Sequence, residues 1–255
     1  MFQIKICGIT TPEDALLAAS LGADALGLNF YEKSPRHIAP ETAGEIITRL
    51  RTNFPAESCQ TFGVFVNADL DDILWTFRAG DLYTPASGFG VQLHGNEPPE
   101  FLRDLYEQGL GVSGTLFQIL GHVPVVPVIR AFRCQSADLT EQSNYVRSCH
   151  SLQSPPYAVL LDAHAPGSYG GTGVRLDWNM VRDQRDKLLG LPLILAGGLT
   201  PDNVAEAILT ARPDAVDVAS GVESSPGKKD PAKLRDFLAA AQTAFATLAR
   251  RASEG

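Results

Sequence analysis

No cluster of lysine and arginine in this chain extends beyond a few residues, and the formal net charge is −8. The electrostatic footprint of a nucleic-acid or anionic-membrane binder is therefore missing. No apolar run reaches the roughly 20 residues that a membrane-spanning helix needs. The four cysteines, Cys7, Cys59, Cys134 and Cys149, make no CxxC pair and no zinc-type spacing with histidine. Neither a metal nor a disulfide framework is expected. Scattered thiols suit a reducing compartment, and residue 3 onward reads as a strand rather than a charged leader. The expected setting is the cytoplasm. Linker-like and low-complexity stretches are also absent, so residues 1–255 read as a single domain. An anionic small molecule stays open as a ligand, because backbone N–H groups can hold phosphate even on an acidic protein.

What is present is alternation. Short β-branched runs occur at Gln3–Cys7, Ala25–Asn29, Thr61–Val66, Phe89–Leu93, Val125–Ala131, Tyr157–Asp162, Leu191–Ala196 and Ala215–Ala219. Amphipathic segments separate them at Pro12–Leu21, Pro40–Thr52, Asp69–Ala79, Pro98–Gln108, Leu139–Ser151, Trp178–Leu188, Pro201–Thr210 and Pro231–Leu248. Many of these open with proline beside an acidic or hydroxyl residue, a helix-start signal, and Thr200-Pro201-Asp202 is the clearest. Near-continuous apolar strands such as Val159-Leu160-Leu161 fit a parallel sheet covered on both faces. Eight strands alternating with eight helices predict an α/β fold, the (β/α)8 TIM barrel, with a doubly wound open sheet as the alternative. Residues 109–122 exceed the short connection expected there and read as an insertion on the face away from the site. Residues 250–255 read as a frayed tail.

In such a barrel the C-terminal strand ends converge on one cavity. The first strand ends in Cys7, the fourth runs into His94, the sixth ends at Asp162, and the eighth carries Asp217. Gly197-Gly198 follow the seventh strand and Ser220-Gly221 the eighth, the two loops that commonly hold phosphate in barrels. Either pair alone could be a tight turn; together they favour a phosphate cradle. Gly170-Gly171-Thr172-Gly173 has the hinge freedom of a lid, as would any solvated loop. Cys7 reads either as a small buried apolar residue or as a reactive thiol, and Asp162 either as a helix cap or as a buried carboxyl with a task. As a thiol and a carboxyl on opposite sides of the ring, they suit a general base and a general acid. Arg36, stiffened by Pro35, is either a solvated surface cation or a two-pronged grip for a carboxylate. His94 is equally a wall hydrogen-bonder or a ligand contact.

The ordered motifs Lys5-Ile6-Cys7-Gly8-Ile9-Thr10, Ser34-Pro35-Arg36, Gln92-Leu93-His94-Gly95, Leu161-Asp162, Ala196-Gly197-Gly198-Leu199-Thr200-Pro201 and Asp217-Val218-Ala219-Ser220-Gly221 resemble those of the phosphoribosylanthranilate isomerases. That resemblance spans residues 4 to 230. It implies an Amadori rearrangement of N-(5-phosphoribosyl)anthranilate in tryptophan biosynthesis, without a cofactor, by a monomer or a homodimer. It also implies Cys7 as general base, Asp162 as general acid, Arg36 on the anthranilate carboxylate, the two glycine loops on the phosphate, and Asp217 at the ribose end. Ala219 departs from the asparagine usual in that family. The sister isomerase of histidine biosynthesis and a non-catalytic phosphate-binding barrel are the rival readings. The former needs a second phosphate loop after the third strand, where Val66-Asn67 offers no paired glycines.

Overall fold

Eight short parallel strands close into a ring: β1 (Ile4–Cys7), β2 (Ala25–Asn29), β3 (Gln60–Phe65), β4 (Phe89–Leu93), β5 (Val128–Cys134), β6 (Ala158–Ala163), β7 (Leu193–Ala196) and β8 (Ala215–Val218). The computed structural model describes residues 1–55, 58–82, 89–108, 126–134, 138–163 and 177–254. Neighbouring strands pair in parallel in chain order, and β8 pairs back with β1, so the expected barrel is formed. Between the strands lie α1 (Pro12–Ser20), α2 (Pro40–Asn53), α3 (Leu70–Ala79), α4 (Pro99–Gln108), α5 (Thr140–Ser151), α6 (Trp178–Asp183) and α7 (Val204–Ala211). After β8 come a one-turn 3-10 helix (Ser220–Val222), a small antiparallel hairpin of β9 (Glu223–Ser225) and β10 (Lys228–Lys229), and α8 (Pro231–Ser253). Among the described residues no helix is long and apolar enough to cross a membrane.

Local chemistry accounts for the boundaries. Thr11, Asp69, Asp177 and Asp230 each cap a helix by accepting a hydrogen bond from its first-turn N–H groups. Pro12, Pro40 and Pro231 occupy the first turn, where a missing N–H leaves nothing unsatisfied. Several expected boundaries move. The fifth strand begins at Val128 rather than Val125, because Pro127 has no N–H to give to a ladder; its carbonyl accepts from Val91 N instead. The helix expected from Pro201 begins at Val204, since residues 201–203 form a turn tied by Asn203. The helix expected to reach Leu188 ends at Asp183 and continues as a 3-10 turn over Arg185–Leu188. Helix α8 runs to Ser253, through residues assigned to a frayed tail. The insertion at 109–122 lies outside the described residues.

Period-two alternation sorts side chains between two cores. Ile4, Ile6, Leu26, Leu28, Val159, Leu161, Leu193, Leu195, Val216 and Val218 face the helices. Phe2, Ala25, Phe62, Ile129, Ala158, Leu160, Ile194 and Ala215 fill the interior of the ring. Phe62 is fully buried there, its ring 5.4 Å from that of Phe2. This apolar floor closes the barrel below the polar strand ends. Phe62→Ala is expected to lower the unfolding free energy by about 3–5 kcal/mol, read as a fall in the urea midpoint. A midpoint equal to wild type would mean that the floor does not carry the barrel.

Candidate active site

On β1 the same alternation puts Lys5 and Cys7 opposite Ile4 and Ile6, facing the barrel interior. Lys5 is fully buried, and its Nζ lies 2.9 Å from Oδ1 of Asp217, its register partner on β8. On the other side Cys7 is paired in register with Gly27 of β2. A Cβ on Gly27 would stand 2.6 Å from Cys7 Sγ and 2.9 Å from Lys5 Nζ, so only glycine lets thiol and ammonium share that space. Burial pushes the Cys7 thiol above its ordinary pKa; Lys5 pulls it down, Asp217 pushes it up and Lys229 pulls it down, leaving it raised. Burial alone would lower Lys5, but Asp217 and Cys7 outweigh it and hold the ammonium charged.

A second charged cluster roofs this one. The hairpin β9–β10 returns Lys229 to the barrel mouth, where its Nζ donates to Cys7 O at 2.6 Å, Glu223 Oε1 at 3.1 Å and Ala219 O at 3.2 Å. Three donors meet three acceptors, so Lys229 sits as an ammonium although burial lowers its pKa. Glu223 in turn receives Arg36 through two parallel bonds, Nε at 2.8 Å and Nη2 at 2.7 Å. Burial pushes the Glu223 carboxyl up, but Arg36 and Lys229 pull harder and hold it below the usual range. The two-pronged edge of Arg36 is thus already on a carboxylate of the protein itself. Its Nη1 has no partner among the described residues.

Across the mouth, the Asp162 side chain at the end of β6 meets His94 just beyond β4, Oδ2 to Nε2 at 3.2 Å. Gln92 stands two residues before His94 on the same face, its amide nitrogen 3.0 Å from Nδ1. With that amide donating, the ring proton is assigned to Nε2, facing Asp162. The Oε1 of Gln92 is buried and has no partner among the described residues. Between β1 and β6 lie β7 and β8, so thiol and carboxyl are three strand steps apart rather than on a diameter.

Over that shorter arc hang the two glycine loops. Gly197 and Gly198 have φ of +83° and +64°, the left-handed region that favours glycine. Gly197 also packs against the backbone of Ala163, one residue beyond Asp162, where a Cβ would come within 2.3 Å of its nitrogen. Gly221 lies against the carbonyl of Leu199, which brings the loops after β7 and β8 into contact. Asn203 braces the first of them, accepting from Thr200 N and donating to Gly198 O, each at 2.9 Å. The N–H groups of Gly197, Gly198, Ser220 and Gly221 donate to no described residue, which leaves a cluster of free donors where the loops meet.

The expected residues therefore fall into three adjoining groups at one end of the barrel: Cys7, Asp217 and Arg36; His94 and Asp162; and the four loop residues. Gly170, Gly171, Thr172 and Gly173 lie outside the described residues. Asp217 is held by Lys5 and only 7% exposed, so it acts on that lysine before anything in the cavity. Lys5, Lys229, Glu223 and Asn203 complete the constellation without having been assigned a role by motif. Glu223→Gln is expected to reduce stability at neutral pH. A depressed carboxyl contributes above its unfolded pKa, so the gap from wild type should close as pH falls below about 4. Urea midpoints from about pH 7 to about pH 3 check this; a constant gap would reject the pairing as its source.

Comparison with known proteins agrees with the barrel fold. Residues 4–119 and 118–240 match the family model of N-(5'-phosphoribosyl)anthranilate (PRA) isomerase. The N-(5'-phosphoribosyl)anthranilate isomerase of Trichlorobacter lovleyi is 41% identical over 246 residues, which cover 96% of this chain and 100% of that protein. Among solved structures, the phosphoribosyl anthranilate isomerase of Thermotoga maritima superposes with a TM-score of 0.74 at 37% identity, covering 95% of this chain and 100% of that one. Another phosphoribosyl anthranilate isomerase, in complex with reduced 1-(o-carboxyphenylamino)-1-deoxyribulose 5-phosphate, gives a TM-score of 0.70 at 35% identity, with the same coverage.

Proposed function

Because the chain belongs to the N-(5'-phosphoribosyl)anthranilate isomerase family, we propose that its three groups of residues divide the family's reaction among them. The activity is isomerisation of phosphoribosylanthranilate in tryptophan biosynthesis. The phosphate of the substrate sits on the free N–H groups of Gly197, Gly198, Ser220 and Gly221, with Asn203 fixing the loop's shape. Backbone donors suit this task because they need no reorganisation when the anion arrives. Arg36 faces the anthranilate carboxylate with the edge that Glu223 leaves free, which restricts it to one orientation. With all four cysteines free, a reducing cytoplasm suits the protein.

Asp162 gives its proton to the ribose ring oxygen as the C1–O bond opens, and the anilino nitrogen becomes an iminium. That cation acidifies C2–H, which Cys7 as thiolate removes to give an enolamine. Protonation at C1 and loss of the O2 proton then complete the ketone. The iminium is the electron sink, so the residues need only to place and take protons. Asp162 donates from Oδ1, while its Oδ2 accepts from His94 Nε2–H, the tautomer that the Gln92 amide favours by donating to Nδ1. His94 thus orients the carboxyl before the transfer and holds the carboxylate that remains.

The observation that carries this reading is the pairing of a buried thiol among cations with a carboxyl–imidazole couple at one barrel mouth. Cys7→Ala and Asp162→Asn are each expected to fold as wild type yet lose about 10²–10⁴-fold in kcat/KM. The assay follows the loss of phosphoribosylanthranilate fluorescence. Near-normal turnover in either variant would remove that residue from its role. A protein that binds phosphorylated sugars but turns none over would return the fold to the non-catalytic reading.

A further inference from the structure

Lys5 is among the largest fully buried side chains of the described residues, and the proton transfers above give it nothing to do. An isolated ammonium in such a place would shed its proton or force the fold open. Here it faces Asp217 at 2.9 Å and, over the bare Cα of Gly27, the sulfur of Cys7. We propose that Lys5 is a positioning residue whose ammonium serves as the resident counter-ion of the Cys7 thiolate, with Asp217 keeping it charged and aimed. The proposal rests on Cys7 being the base.

The groups facing that sulfur are few. Lys5 lies on its own strand, Asp217 on β8, Lys229 on β10 and Arg36 above Gly8, with Glu223 holding the last two. Lys229 has all three donors engaged, one of them on the Cys7 carbonyl, so it fixes the backbone. Arg36 has its inner edge on Glu223. Lys5 donates to Asp217 and has two further donors on a nitrogen that lies beside Sγ. Burial raises the thiol, and among the charges that resist this Lys5 acts most strongly. When Cys7 loses its proton the ammonium gains a second anionic partner, and when the thiolate takes the C2 proton that partner is neutral again. Lys5 exchanges no proton itself, so the balance of the isomerisation is unchanged.

The test is the pH profile of kcat/KM for wild type, Lys5→Met, and the charge-balanced double variant Lys5→Met/Asp217→Asn. The double variant guards against unfolding by an unpaired Asp217. Thiolate absorbance near 240 nm is followed in parallel against Cys7→Ala. Lys5→Met should move the ascending limb, which Cys7 ionisation sets, up by about one to two pH units and cut kcat/KM about 10- to 100-fold below it, with activity returning as pH rises. The double variant should move the limb in the same direction by less, because Asp217 had opposed the ionisation. A uniform loss at every pH with an unmoved limb and unmoved Cys7 absorbance would overturn the proposal and leave Lys5 a packing residue. Failure of the underlying reading looks different: Cys7→Ala would keep its turnover, whatever Lys5→Met does.

Discussion

The ion pair that joins β1 to β8 constrains most of the site. Lys5 and Asp217 are register partners across the seam where the ring closes, and both are nearly without solvent. A buried pair of this kind adds little net stability over apolar residues of the same shape, but removing one partner typically costs about 3–5 kcal/mol. Its persistence in a barrel otherwise floored by Phe62, Ile129, Leu160 and Ile194 therefore points to chemistry above the floor. The pair also fixes where a thiol can sit. Cys7 follows Lys5 by one strand repeat, so the register that pairs the charges places the sulfur one layer higher, at the cavity.

Much of this was legible because strand alternation is strict. Once residues 3–7 read as a strand ending at the mouth, position 7 had to share a face with position 5, which is the signal that picks out Lys5. Asp162 and His94 were equally readable as the polar ends of apolar strands, and their contact follows from two strand ends facing one cavity. Other parts depended on tertiary context. Nothing near Lys229 in the sequence says that a hairpin will carry it back to the carbonyl of Cys7. The partner of Arg36 lies 187 residues away, so the guanidinium read from Ser34-Pro35-Arg36 alone has two prongs to offer. Pro201 read as a helix start because its neighbours have the right chemistry; Asn203 overrides them by bonding on both sides of the loop.

The same long-range contacts change what the individual residues mean. Arg36 is held by Glu223 before any ligand arrives, which lowers the entropy lost on binding and limits the angle from which a carboxylate can approach. Asp217 acts through Lys5, and His94 through Asp162. The cavity is thus lined by groups whose orientation is set by a neighbour, the condition under which acid–base geometry survives thermal motion. Asn203 does for the phosphate loop what Glu223 does for the guanidinium.

Charge arithmetic around the sulfur explains how an acidic protein can present a basic cavity. Lys5, Arg36 and Lys229 bring three positive charges to the neighbourhood of Cys7, and Asp217 and Glu223 bring two negative ones. One positive charge is left over while the thiol keeps its proton. A thiolate at Cys7 would cancel it, so the cluster is neutral with Cys7 ionised and positive with it protonated. Burial works against ionisation, and this uncancelled charge works for it. An anionic substrate is drawn by the same surplus, which a deprotonated Cys7 would diminish. If Cys7 is the base, as proposed, binding and base activation compete for one charge. On the proposed reading the free backbone donors of the glycine loops relieve that competition, since they would hold phosphate without drawing on the cations at all.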